Sequence, residues 1–183
     1  MTGGPADGAR DADSVELAAL ADRLAITELL YRYAELVDAG DFDGVGALLA
    51  RARFGPDGPG EQGVTGAGAI AALFAATTRR YPGHGNTPRT RHLVLNPIVE
   101  LRGPDAAAAR STFCVVQQTE TVPLQPIVVG RYADTFARDR SADSPHRGWY
   151  FAERRVAVEM VGDVSAHLAV DPRDFGGQAL GRP

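Results

Sequence analysis

The stretch Arg32-Tyr33-Ala34-Glu35-Leu36-Val37-Asp38-Ala39-Gly40-Asp41 decides how the first half of this chain folds. Apolar side chains recur at helical spacing before and within it, at Ile26, Leu30, Tyr33 and Val37. Gly40 suits the left-handed position that ends a helix, and Asp41 can cap a helix that follows. We therefore predict a first helix that begins at Ser14 and ends in this stretch, and a short second helix over residues 42–49.

The rest of the chain divides into one more helix and a run of strands. A third helix is predicted over residues 67–80, after an irregular segment rich in Gly and Pro. Apolar runs separated by turn residues predict strands at residues 90–101, 106–121, 127–138 and 148–161. Helices followed by successive antiparallel strands predict an α+β fold, with a long curved antiparallel sheet wrapped around the N-terminal helices and a cavity between them.

The length of 183 residues favours one domain. The two ends are poor in large apolar residues, so residues 1–13 and 166–183 are expected to be flexible tails around a single domain at residues 14–165. The adjacent arginines Arg154 and Arg155 are expected on a solvated face.

Composition excludes several classes of partner. The net charge of −4 and the absence of a basic stripe argue against nucleic acid. No apolar run approaches the ~20 residues that span a bilayer, so no membrane association is expected and the cytoplasm is the default compartment. Cys114 is the only cysteine, and the four histidines lack metal-ligand spacing. We expect no metal and no other cofactor.

Three side chains are the candidate catalytic groups of this sequence. Tyr33 and Asp38 lie at the end of the first helix, and His92 opens the first long strand. An imidazole beside a carboxylate, with a phenol nearby, can move protons near neutral pH. If the fold brings them together, they form a small acid–base site.

Five stretches in order carry a resemblance to a known family: residues 26–34 with 38–41, residues 66–70, residues 90–96, residues 130–134 and residues 148–150. Together they resemble the SnoaL-like branch of the nuclear transport factor 2-like superfamily, over about residues 20–161. The resemblance implies a cone-shaped α+β fold with a deep pocket. The superfamily includes scytalone dehydratase, bile-acid dehydratase, polyketide cyclases and ketosteroid isomerase, so the fold alone does not fix the function.

The resemblance also implies roles. Eliminating members pair an aspartate after the first helix with a histidine on an early strand, as Asp38 and His92 would here. His92 is expected to be the catalytic base, Asp38 its orienting partner and Tyr33 a helper that donates to the substrate. The second histidine of scytalone dehydratase is absent, because the aligned positions lie near Gln117 or Gln118 and near Tyr132. Three residues are expected to shape the substrate pocket: Asn96, Gln117 and Tyr132.

The leading interpretation is a cofactor-independent dehydratase, lyase or cyclase that acts on a hydrophobic oxygenated small molecule. One alternative is a ketosteroid-isomerase-like proton shuttle, with Tyr33 as oxyanion donor and Asp57 as base. The other is a non-catalytic ligand-binding or assembly module, which predicts a cavity filled by side chains or an Asp38 and a His92 that do not meet. His84 receives no role.

A curved sheet of this kind often buries its convex face against another subunit. We therefore expect a homo-oligomer, with Phe136, Trp149 and Phe151 as possible contributors to the interface.

Overall fold

Three helices precede most of the sheet: α1 spans Pro5–Ala39, α2 spans Phe42–Leu48 and α3 spans Ala67–Thr77. The computed structural model describes residues 5–58, 62–141 and 146–170. All three predicted helices are present, and α3 ends three residues earlier than expected.

α1 begins earlier than its apolar pattern predicts. It starts at Pro5 rather than Ser14, so the expected N-terminal tail is helical from Pro5 onward, while residues 1–4 lie outside the described residues. The physical reason is intrinsic propensity, because alanines favour a helix, proline is accepted at its first position and acidic residues suit its first turn. Apolar periodicity alone does not detect such a segment.

The end of α1 is fixed by backbone hydrogen bonds. The Gly40 N–H donates to the Val37 carbonyl and the Asp41 N–H donates to the Leu36 carbonyl, both at 3.0 Å. This pair of bonds is a Schellman motif, which requires the left-handed φ of +70° that Gly40 adopts. Asp41 then caps α2, since its side chain accepts a hydrogen bond of 2.9 Å from the Gly44 N–H. Both turn predictions are confirmed.

The sheet has six strands in the order β2-β1-β6-β5-β4-β3. β3 spans Thr90–Leu101, β4 spans Ala106–Gln117, β5 spans Gln125–Arg138 and β6 spans Trp149–Val161, and neighbours among these four pair antiparallel. Two further strands, β1 at Arg53–Pro56 and β2 at Val64–Thr65, lie in the segment expected to be irregular, and β1 pairs parallel to β6. The α+β class is confirmed, but the sheet is mixed and open, with β2 and β3 as its edges.

One face of the sheet packs against α1 and forms the core. Phe136, Trp149 and Phe151 belong to this core and are at most 2% exposed, so they cannot serve as contacts with another subunit. Their inward position follows from strand alternation, which places them on the helix-covered side. Among the described residues, no helix is long and apolar enough to cross a membrane.

The chain after β6 remains attached to the domain. The Arg79 N–H donates to the His167 carbonyl and the Ala169 N–H to the Thr77 carbonyl, each at 2.8 Å. Residues 166–169 therefore belong to the folded unit rather than to the expected tail, because they satisfy backbone groups just beyond α3. Residues 171–183 lie outside the described residues.

The end of α1 yields the first prediction. We expect Gly40→Ala to lower the free energy of unfolding by about 2–3 kcal/mol, because a side chain at positive φ costs about 1–2 kcal/mol and its Cβ would also crowd other atoms. A Cβ at Gly40 would lie 2.8 Å from the Asn86 carbonyl oxygen.

Gly85 is the matched control, since its φ is +68° and a Cβ there would meet nothing within 4 Å. Gly85→Ala should therefore show only the conformational cost of about 1 kcal/mol. Urea unfolding of both variants measures the difference, and equal losses would contradict the packing argument.

Candidate active site

Asp38 and His92 meet. His92 Nδ1 lies 2.6 Å from Asp38 Oδ1, and the His92 backbone N–H donates to Asp38 Oδ2 at 2.8 Å. The Thr90 hydroxyl donates to Asp38 Oδ1 at 2.8 Å. The end of α1 supplies the carboxylate and the first residues of β3 supply every one of these partners, so the contact joins a helix end to a sheet edge.

The protonation state of Asp38 and the tautomer of His92 follow from these contacts. Burial works to raise the pKa of Asp38, but the hydrogen bonds from His92 and Thr90 and the charge of His92 outweigh it and hold the pKa below its ordinary value. Asp38 is therefore a carboxylate at neutral pH, and it accepts a hydrogen bond from the Nδ1–H of His92. In the neutral imidazole this leaves Nε2 as the free base.

The pair lies beside an open groove of about 850 Å³. Asp38 and His92 line it together with apolar and cationic side chains, which include Ala34, Val116, Leu124, Arg89 and Arg91. The side chains of His92 and Asp38 are only 9% and 10% exposed, so they sit at the inner wall of the groove rather than on its rim. The pair thus lines the groove while having little contact with bulk solvent.

Tyr33 lies on the inner side of the pair and does not line the groove. Its ring is 4% exposed and packs edge-on against Phe74 and Tyr132, with ring centroids 6.3 and 6.0 Å away. Burial raises the pKa of Tyr33 to about 12, against the opposing charge of Arg154, and the charge of Asp38 adds to the rise. The phenol thus keeps its proton and shares the interior with Asp38.

The interior also holds an ion pair that the sequence did not indicate. Arg154 and Asp134 are fully buried, and Arg154 Nε lies 3.3 Å from Asp134 Oδ1 without forming a hydrogen bond. The guanidinium carbon sits 4.0 Å from the Tyr33 ring centre and 3.9 Å from that of Tyr132. The expectation that Arg154 lies on a solvated face is therefore wrong, because a bulge in β6 turns its side chain toward the core.

The pKa of Asp134 is shifted in the opposite direction from that of Asp38. Burial raises the pKa of Asp134 to about 6, against the opposing charge of Arg154. Neither carboxyl oxygen has a hydrogen-bond donor among the described residues. A buried carboxyl that lacks donors favours its neutral form.

The three predicted pocket residues have different positions. Tyr132 is in the interior, where it stacks on Phe113 with ring centroids 4.4 Å apart. Gln117 is fully buried, and its amide N–H groups donate to the Pro88 and Ala166 carbonyls at 3.1 and 3.2 Å. Asn96 is exposed at the β3 bulge with a φ of +52°, so it does not line the groove, because the bulge breaks the alternation that would turn it inward.

Two further acids and bases were left open by the sequence. Asp57 is exposed just after β1 and pairs with Arg155 at 3.1 Å, so it is no candidate for a base in the interior. This position removes the basis of the isomerase alternative. His84 lines the groove, and its Nε2 lies 3.4 Å from Glu120 Oε1.

The raised pKa of Asp134 makes a prediction about stability. The folded state binds this proton more tightly than the unfolded state, so the stabilisation is full below the unfolded pKa of about 4 and is lost as the pH rises through about 6. We expect the unfolding free energy of the parent, relative to Asp134→Asn, to fall by about 2–3 kcal/mol between these limits.

Chemical denaturation of both proteins at several pH values measures this difference, and subtraction cancels the titration of the other groups. Asp57→Asn, the same change at an exposed acid, is the control. A parent-to-variant difference that stays constant with pH would contradict the raised pKa.

Both the sequence and the fold resemble known proteins. Residues 18–155 match the SnoaL-like domain family. An NTF2-like protein with a cystatin-like fold from Novosphingobium aromaticivorans is 25% identical, covers 84% of this chain and 91% of that chain, and superposes with a TM-score of 0.62.

Two other solved structures share the fold at lower identity. A candidate scytalone dehydratase from Novosphingobium aromaticivorans is 21% identical, with coverage of 84% of this chain and 91% of that chain and a TM-score of 0.56. A protein of unknown function from Mycobacterium tuberculosis is 22% identical, with coverage of 86% and 78% and a TM-score of 0.58. No curated protein matches the sequence. The match over residues 18–155, with the helix order and sheet described above, shows that the chain belongs to the SnoaL-like domain family of the NTF2-like superfamily.

Proposed function

We propose that this protein is a cofactor-independent acid–base enzyme, a dehydratase or lyase or a related cyclase, that acts on a hydrophobic oxygenated small molecule. The observation that carries the proposal is the contact of 2.6 Å between His92 Nδ1 and Asp38 Oδ1 at the inner wall of an open groove. The similarity to a candidate scytalone dehydratase supports the same class of chemistry.

The reaction needs one base and one leaving group. His92 Nε2 takes a proton from the carbon next to a substrate carbonyl, and the electrons of that C–H bond form a C=C bond as the C–O bond to the β-hydroxyl breaks. The departing oxygen takes the proton back from His92 and leaves as water. The charge on Asp38 stabilises the imidazolium between these steps and holds the ring in one orientation.

Tyr33 and Arg154 lie in the interior and do not line the groove. The Tyr33 ring is 4% exposed, so its O–H does not reach a substrate held in the groove. Tyr33 keeps its proton at neutral pH, and the guanidinium carbon of Arg154 lies 4.0 Å from the centre of its ring. The proton transfers of the proposed reaction therefore depend on His92 and Asp38.

The groove also restricts the substrate class. Ala34, Val116 and Leu124 offer apolar contacts, while Arg89 and Arg91 offer positive charge near the same opening. A ring compound with oxygen substituents fits this combination better than a purely apolar or a strongly cationic molecule.

A dehydration assay tests the proposal. The probe is a hydroxytetralone, a bicyclic β-hydroxy ketone whose dehydration produces a fluorescent naphthol. We expect His92→Ala and Asp38→Asn to lower kcat/KM by about 100-fold or more, since general-base catalysis typically contributes this much. His146→Ala, which removes an imidazole outside the groove, is the matched control.

The outcomes separate the roles. Unchanged turnover in His92→Ala would exclude His92 as the base. A loss in His92→Ala with full turnover in Asp38→Asn would exclude the orienting role of the carboxylate. Melting temperatures of all variants show whether a loss comes from misfolding.

One observation favours the alternative of a non-catalytic assembly module. The interior is occupied by packed side chains, including Tyr33 and Tyr132, and the outer face of β3 exposes Leu93, Leu95 and Ile98. Exposed apolar rows on an edge strand favour association with another chain. We propose that this row forms the contact of a homo-oligomer, whether or not the groove is catalytic.

A change of charge on that row tests the assembly. We expect Leu95→Glu to reduce the mass measured by analytical ultracentrifugation toward that of a monomer, because a buried unpaired carboxylate opposes association. Val15→Glu is the control, since Val15 is also an exposed apolar residue but lies on α1. A parent protein that sediments as a monomer would contradict the homo-oligomer.

A further inference from the structure

Two arginines that line the groove, Arg89 and Arg91, have no acidic partner. Most other arginines in the described part of the chain form an ion pair with an aspartate or a glutamate, whereas these two form none within the described residues. An arginine side chain is positively charged at every physiological pH. The protein therefore leaves two cationic groups of the groove without a counter-charge.

The acids near the groove are already paired. Asp38 is held by the contacts with β3 described above, and Glu35 pairs with Arg32 at 3.1 Å. Glu120 Oε1 lies 3.4 Å from Nε2 of His84, a further residue that lines the groove. Each of these carboxylates thus has a partner of its own, and none of them forms an ion pair with the two arginines.

The Arg91 guanidinium is held at the open edge of β3. Its Nη1 donates to the Thr90 carbonyl at 2.7 Å, in a half-buried contact. On an edge strand, every second residue turns its N–H and C=O away from the sheet, so the Thr90 carbonyl shares an edge with the His92 N–H that donates to Asp38. The bond therefore holds a cation on the edge of β3 that carries the proposed catalytic pair, and it leaves further guanidinium N–H groups for a ligand.

Arg89 is fixed to the end of β4 by two hydrogen bonds. Its carbonyl accepts from the Gln118 N–H at 3.2 Å, and its Nε donates to the Gln118 carbonyl at 3.1 Å. These bonds hold the backbone of Arg89 at a φ of +62°, which is unfavourable for a residue with a side chain. Gln118 itself lines the groove. Since only Nε is engaged, both terminal amino groups of Arg89 remain available for a ligand.

We propose that the groove binds a carboxylate group of the substrate through the guanidinium groups of Arg89 and Arg91. This inference rests on the proposed function, since it names the substrate class of the same site: a ring acid that also carries the carbonyl and the β-hydroxyl of the reaction. The planar guanidinium matches a carboxylate through two parallel hydrogen bonds. Val116 and Leu124 offer apolar contacts to the ring, so the charge and the ring are held together.

Two aromatic probes test the carboxylate site without any turnover. Naphthoate carries a carboxylate, and naphthamide has nearly the same shape without the charge. We expect the parent protein to bind naphthoate roughly tenfold more tightly at low salt, as hydrogen bonds between charged groups predict. The preference should decrease at high salt, because ions screen charges that remain accessible to solvent. Isothermal titration measures both affinities.

Variants locate the preference. Arg89→Gln and Arg91→Gln should each lower it, and the double variant should abolish it while its affinity for naphthamide stays that of the parent. Arg102→Gln is the matched control, because Arg102 is exposed just after β3 and has no acidic partner among the described residues, but lies outside the groove. This control should keep the preference of the parent.

Nitrogen NMR of the parent protein gives a readout that does not depend on the folding of a variant. The Arg89 and Arg91 Nε resonances should move on addition of naphthoate and stay in place with naphthamide. A naphthoate preference that persists in a folded double variant overturns this inference, as do Nε resonances that naphthoate does not move.

The activity assay keeps the two proposals separate. Turnover of hydroxytetralone by a parent protein without a naphthoate preference overturns the carboxylate site and leaves the His92 mechanism intact. A preference that depends on the two arginines, in a parent protein that turns over neither hydroxytetralone nor its carboxylated form, supports the carboxylate site and contradicts the His92 mechanism. If neither aromatic compound binds the parent protein, both the carboxylate site and the proposed substrate class fail.

Discussion

The carboxylate of Asp38 is the contact on which the rest of the site depends. It accepts three hydrogen bonds, all from the first residues of β3, while its own backbone is held by the Schellman turn that ends α1. A buried charge is tolerated only when its hydrogen bonds are made, so this contact constrains both the length of α1 and the position of β3. It also fixes the pairing register, because a shift of one residue would turn His92 to the outer face of the sheet.

Two buried carboxyl groups, those of Asp38 and Asp134, have pKa values that are shifted in opposite directions, because they accept different numbers of hydrogen bonds. Asp38 receives three hydrogen bonds and its pKa is lowered, whereas Asp134 receives none among the described residues and its pKa is raised to about 6. The positive charge of Arg154 does not cancel the rise in the pKa of Asp134, since the guanidinium lies over the Tyr33 and Tyr132 rings and donates no hydrogen bond to the carboxyl group. The fold therefore holds one carboxylate that is ionised at neutral pH beside the groove, and one titratable acid within the core.

The sequence predicted the parts of this structure that depend on local chemistry, and it missed those that depend on distant partners. Gly40 and Asp41 act at the positions that their conformational preferences indicate. β1 was missed because this short strand is stabilised by β6, about 100 residues further along the chain, and β2 in turn pairs only with β1 among the described strands. Regular strand alternation after the inward-facing Phe151 predicts that Glu153 also faces inward and that Arg154 faces solvent. The register shift between β5 and β6 adds one residue to β6 at this point, so Arg154 faces inward instead. Since a bulge cannot be placed from one sequence, the buried ion pair was not predictable.

The position of the segment after β6 depends on the same kind of non-local constraint. Gln117 lies at the end of β4, and its buried amide donates to the carbonyls of Pro88, just before β3, and of Ala166, after β6. One buried side chain thus holds both the entry to β3, which supplies the partners of Asp38, and the segment that follows β6. Since the bond to Ala166 joins residues 49 positions apart, it leaves no trace in a local sequence pattern, and only the folded chain shows it.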